Sequence, residues 1–263
     1  MFGVGVGIRV GGFTPISGGG GVDPDAQAFF DRGTTAGGTL TTTEKNATNQ
    51  LVLDMKSAGI WSSMKAVYPM VGASAAACAQ NLKSSSFTGT FTSGWTFSAN
   101  GVQGNGNSAY MDTGLNGNAQ LSLNSNSFSV YLNSSVSAGL DMPIGNGANC
   151  FILPHFSGGT YNRNASGTYN QNTIVNNMGL TMSKRTSSAG SVNVKNGSSF
   201  AQSTDTSVSI DNANFHVGAG NFSTFYSSAR IALAQIGDGL TSTQASNFYT
   251  AVQAFQTTLN RNV

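Results

Sequence analysis

The one cluster of side chains able to move a proton or grip a polar ligand comprises His155, Tyr161 and Arg163, with Tyr169 close behind. A His, a Tyr and an Arg at this spacing could neutralise a uronate and transfer its proton, which is the chemistry of a polysaccharide lyase. The flanking residues carry no lyase signature. The same stretch contains Tyr161-Asn162-Arg163-Asn164 and Tyr169-Asn170-Gln171-Asn172. There a ring can cover the apolar CH face of a sugar while amides meet its hydroxyls. Tyr161, Asn162, Arg163, Tyr169 and Asn170 are therefore the candidate ligand-binding residues. An amide-rich loop is also the ordinary way for a charge-poor protein to stay in water.

Other chemistries find fewer parts. Glycoside hydrolysis needs two carboxylates about 5–10 Å apart, and the single glutamate, Glu44, is better explained as a helix cap. Neither His155 nor His216 sits in a local pattern that would activate a serine nucleophile. The alternation Phe215-His216-Val217 predicts that His216 points to solvent or a polar partner. Asp112, Asp141, Asp205 and Asp211 stand apart, so no hard-cation cage is expected. Cys78 and Cys150 fit no metal-ligand spacing and read as small buried side chains rather than a bridge. No catalytic residue, metal or cofactor is predicted.

Composition narrows the class. The chain has 263 residues, enough for one large β domain or two small ones. Only 8% of residues are charged, far below the roughly 25% of an average domain, so solubility must come from Ser, Thr, Asn and Gln. Twelve basic against ten acidic residues give a net charge of +2, too weak and scattered for a phosphate backbone. No nucleic acid partner is expected. The opening residues lack the basic start and apolar core of a secretion signal, and no stretch approaches the ~20 apolar residues of a membrane span. This composition suits a virion component assembled in a bacterial host's cytoplasm.

The elements that would position these residues follow from periodicity. Residues 2–8 alternate strictly, with Phe2, Val4, Val6 and Ile8 on one face and Gly3, Gly5 and Gly7 on the other. Such a strand lets another backbone approach closely, and reads as an attachment or oligomerisation arm tethered by glycines 18–21. Asp23-Pro24-Asp25 opens a short helix, and a second at 43–58 has Thr41 and Glu44 as a capping box. From residue 60 the period becomes two. Phe87, Phe91, Trp95 and Phe97 share one parity, predicting a strand pair or one long bent strand. Shorter runs occur at 128–132, 151–156, 174–182, 192–194, 208–210 and 215–217. Asn-Gly pairs at 100, 105, 116, 146 and 196 punctuate them as hairpin turns. A strand near 229–236 has Ala229, Ile231 and Leu233 on one face and Ala232, Ala234 and Ile236 on the other. After the Asp238-Gly239 turn, a Thr241–Gln244 capping box opens a terminal helix over 242–260 with Ala245, Phe248, Val252, Phe255 and Leu259 as its stripe. The chain is predicted to be mainly β: an antiparallel two-sheet jelly-roll sandwich with a preceding helical pair and a C-terminal helix packed beside it.

Five segments carry a family resemblance: Leu53-Asp54-Met55-Lys56-Ser57-Ala58-Gly59-Ile60-Trp61; Met64-Lys65-Ala66-Val67-Tyr68-Pro69; Asn81-Leu82-Lys83; residues 107–115 (NSAYMDTGL); and Ile236-Gly237-Asp238-Gly239-Leu240. Together they resemble a domain of tailed-phage and prophage structural proteins that is similar to the concanavalin A-like lectin or laminin-G-like jelly roll. The resemblance spans residues 23–263. It implies an arm over 1–22, a helical segment over 23–66, and a jelly roll over 67–263. It also implies a non-enzymatic tail-fibre, head-fibre, decoration or receptor-binding role on the virion. The partners would be other virion proteins through the arm, further copies of the chain with a trimer favoured, and a host-surface glycan. A free bacterial carbohydrate-binding module is the alternative, and a polysaccharide lyase the remaining one.

Overall fold

A computed structural model of the chain describes residues 21–136, 139–173, 176–220 and 225–263. The expected arm with Phe2, Val4, Val6 and Ile8 lies outside the described residues. In chain order the helices are α1 (Pro24–Thr35), α2 (Thr42–Ser57), α3 (Ala75–Cys78), α4 (Gly117–Gln120) and α5 (Ser242–Thr258). The strands are β1 (Met64–Tyr68), β2 (Thr90–Phe91), β3 (Trp95–Ser98), β4 (Gly101–Gly104), β5 (Met111–Asn116), β6 (Asn126–Leu132), β7 (Ile144–Gly145) and β8 (Cys150–Phe156). They continue with β9 (Gly159–Asn164), β10 (Asn170–Asn172), β11 (Gly179–Arg185), β12 (Val192–Lys195), β13 (Ser198–Gln202), β14 (Asn214–Val217) and β15 (Arg230–Gly237).

These strands form the two-sheet antiparallel sandwich that the periodicity predicts. One sheet runs β13-β12-β11-β6-β15-β4-β3, with β1 also pairing β15, and the other runs β10-β9-β8-β7-β14-β5-β2. Between them lies a core that includes Phe128, Val130, Ile144, Ile152, Phe215 and Ile231. The first sheet's outer face is covered by helices. Phe29, Leu51, Val52, Met55, Phe248, Val252 and Phe255 join Leu180, Met182 and Val194 of that sheet in a second apolar cluster. Both predicted capping boxes form: Thr41 with Glu44 opens α2, and Thr241 with Gln244 opens α5. Asp23 caps α1 and also accepts Lys56 Nζ at 2.7 Å, tying the start of α1 to the end of α2. Asn81, fully buried, accepts the Val67 and Lys83 amides and donates to the Lys65 and Ser86 carbonyls. Strand β1 opens at Met64, so the predicted boundary at 66/67 runs through a strand that belongs to the sandwich.

Four local expectations are corrected. The aromatic stretch at 87–97 is neither a hairpin nor one strand, because β2 joins the second sheet and β3 the first, with Gly94 at φ +91° between them. A chain that crosses between facing sheets keeps its rings directed at the shared core, and Phe87, Phe91, Trp95 and Phe97 all pack there. Residues 208–210 form no strand. Asn116 caps α4 instead of closing a hairpin, whereas Asn196-Gly197, with φ of +46° and +79°, joins β12 to β13 as expected. On β15 the predicted parity fails after Ile231. A register shift between Ile231 and Leu233 turns Ala232 and Leu233 toward the helices, while Ala229, Ile231, Ala234 and Ile236 face the inter-sheet core. The bulge inserts one residue and inverts every later side chain.

Candidate functional site

Helices occupy the outer face of the first sheet, so the exposed broad face belongs to the second. Its chemistry follows from strand alternation. On β9, Tyr161 and Arg163 project outward, whereas Asn162 and Asn164 are fully buried between the sheets. On β8, Phe151 and Leu153 project outward and Cys150 and Ile152 inward. Register then aligns one transverse row: Arg163 opposite Phe151, Phe151 opposite Gly145, Gly145 opposite His216, and His216 opposite Asp112. Continuing the β9–β10 register by one pair sets Tyr169 across from Arg163.

At the β9–β10 end of this row the rings converge. Tyr161 meets Phe156 at 5.2 Å and Tyr169 at 5.9 Å, both edge-on, and Phe151 meets Tyr169 at 6.0 Å. The Arg163 guanidinium lies 4.2 Å from the Tyr169 ring centroid, within reach of the ring's negative face. Its Nη1 donates to the Ala148 carbonyl at 3.0 Å, and its buried Nε has no acceptor among the described residues. Beside this group is a cavity of about 170 Å³ whose walls include Met142, Phe151, Leu153, Arg163, Tyr169 and Phe225. Among the described residues, Arg163 is the one charged side chain lining it. Tyr169 remains 53% exposed, far more than an aromatic ring buried for packing alone.

The structure thus brings Tyr161, Arg163 and Tyr169 together and turns two of their companions away. Asn162 and Asn170 were expected to meet ligand, but both are buried between the sheets. Asn170 Nδ2 donates to the Ser191 and Ala201 carbonyls, which helps close that edge of the sandwich. The reason is the strand period: neighbours of outward-facing Tyr161 and Arg163 must face inward. His155 is engaged elsewhere. Its Nδ1 donates to the Val136 carbonyl at 3.2 Å, and no hydrogen bond joins it to Tyr161, Arg163 or Tyr169.

Of the two alternatives for His216, solvent is ruled out by its 8% exposure, and the polar neighbour opposite it is Asp112. His216 stacks on Tyr110 with centroids 4.4 Å apart, and burial pushes its pKa down despite nearby Asp112. Burial also raises both cysteine thiols to about 12, and neither is bridged. Among the described residues no three His, Cys, Asp or Glu side chains gather as metal ligands, and no helix is long and apolar enough to cross a membrane. Sequence reading missed the apolar floor of the cavity. Its signal was the uninterrupted run Cys150-Phe151-Ile152-Leu153, which marks a strand covered on both faces.

No protein-family model matches the chain, and no curated protein does. Among solved structures, it is similar to domain 4 of AbnA, a GH43 extracellular arabinanase from Geobacillus stearothermophilus, in complex with arabinotriose. That match covers 71% of this chain and 98% of that one, at 15% identity and a TM-score of 0.51. Trypanosoma rangeli sialidase matches 78% of this chain and 38% of its own, at 12% identity and a TM-score of 0.41. At such identities the likeness is one of fold, the two-sheet β-sandwich.

Proposed function

We propose that this protein is a non-enzymatic carbohydrate-binding component of a bacteriophage particle, of fibre, decoration or receptor-binding type. The observation that carries the reading is the cluster of exposed Tyr169 with half-buried Tyr161 and Arg163 beside an apolar cavity, on the sheet face the helices leave open. Rings supply a surface for the CH face of a sugar, and the guanidinium supplies donors for its oxygens. The cavity is smaller than the roughly 300–1,000 Å³ of a drug-sized site, which suits one sugar ring docked from the surface.

The particle setting rests on the sequence resemblance and on the glycine-spaced residues 2–8. In this reading residues 1–22 dock on other virion proteins, the chain self-associates as a trimer, and assembly takes place in the host cytoplasm. A free carbohydrate-binding module is the second reading. It is favoured by the similar arabinanase domain, whose structure holds arabinotriose. Deleting residues 1–22 separates the two: particle incorporation is expected to be lost while saccharide binding persists. Full incorporation without the arm would overturn the arm's docking role, and absence of the full-length chain from purified particles would overturn the virion reading. Tyr161→Ala and Tyr169→Ala are expected to weaken retention on host-surface polysaccharide at least tenfold, and unchanged retention would remove the site.

A further inference from the structure

Among the described residues, Arg163 is a cation in a cavity whose other walls are uncharged, and it forms no ion pair. Its fork is half used. Nη1 is committed to the Ala148 carbonyl, whereas Nε is buried without an acceptor and Nη2 makes no hydrogen bond among the described residues. The Nε–Nη2 edge of a guanidinium matches the two oxygens of a carboxylate, each N–H donating to one oxygen. An unpaired buried donor is costly, and a ligand that supplies its acceptor recovers that cost on binding.

The surroundings restrict what else the ligand carries. Phe151, Leu153 and Met142 form a buried apolar backing to the cavity, and Tyr169 stands at the rim with its ring exposed. A simple anion would leave the Tyr169 ring wet; a carboxylate borne on a ring with an apolar face would cover it. We infer that the saccharide taken at this site is acidic, and that Arg163 receives its carboxylate while Tyr169 meets its sugar ring. This inference rests on the carbohydrate-binding reading above and narrows its substrate class. Because Nε is sealed beneath the cavity wall, engagement requires the guanidinium to turn off its stack on Tyr169. Ligand binding and the Tyr169 ring environment are therefore linked.

The test is calorimetric titration of the full chain with trigalacturonate, its methyl ester, sialyllactose and lactose. At least one acid is expected to bind tenfold or more tightly than its uncharged counterpart, and the two acid arms distinguish a hexuronate from a nonulosonate. Arg163→Gln is expected to erase that preference, and Arg163→Lys to retain part of it through charge without the fork. Thermal melts of both variants establish that they fold. Equal binding of acid and uncharged probe, or a preference that survives Arg163→Gln, overturns this inference and leaves carbohydrate binding standing. Binding of no saccharide, including host polysaccharide, overturns both.

Discussion

At the scale of single residues, adjacent positions on β9 have opposite duties. Asn162 is enclosed with neither side-chain atom paired among the described residues, while Tyr161 beside it faces out. Asn162→Leu, similar in volume, removes an unsatisfied buried amide, so stability should hold within about 1 kcal/mol or rise. Saccharide affinity should not change; a large loss would show that the amide contacts ligand after all. Lys195 makes a second residue-scale prediction. Burial pushes its pKa down to about 7, and its Nζ donates to the Asn177 carbonyl and Thr181 Oγ1. Above pH 7 the unfolded chain holds a proton on this lysine that the folded chain has released, so the lysine makes stability rise with pH. Below that pH its burial cost is borne in full. Urea midpoints between pH 6.5 and 8.5 should climb for the native chain and be flatter for Lys195→Met. Identical slopes would place Lys195 in water.

Among elements, the junction of β15, α5 and β1 carries the architecture. Arg261, just past α5, is 3% exposed, donates to the carbonyls of Met70, Pro69 and Ala232, and meets Gln256 Oε1 at 2.8 Å. Those carbonyls belong to the end of β1 and to the bulge of β15. Arg261→Met would strand several buried acceptors, and a loss of about 3 kcal/mol is expected in urea unfolding. A loss below about 1 kcal/mol would mean that water reaches them. Gly101 guards the other side of the same bulge: at φ +111°, a Cβ there would lie 2.4 Å from the Ile231 carbonyl oxygen. Gly101→Ala is expected to cost about 2 kcal/mol or more. The helices and their caps were legible because capping boxes and 3.6-residue stripes are local. The β15 bulge and the sheet crossing at Gly94 were not, because both depend on which distant strand lies alongside.

Across the whole molecule, asymmetry decides what can bind. Helices α1, α2 and α5 seal one sheet, and the other presents its outer face with an apolar hollow at the β9–β10 end. The two-sheet plan could be read from alternation and Asn-Gly turns, and Tyr161, Arg163 and Tyr169 from their chemistry. The hollow that β8 floors with Phe151 and Leu153 could not, since it forms only when Phe225, distant in sequence, is brought alongside the local β8–β9 hairpin. Nor does alternation alone tell which of two amphipathic neighbours faces water. The most direct test of the account is amide and methyl NMR mapping of the chain during addition of host-surface oligosaccharide. The account expects perturbations centred on Phe151, Tyr161, Arg163 and Tyr169, with the helical face unchanged. Perturbations confined to α1, α2 or α5, or to the opposite end of the second sheet, would contradict it.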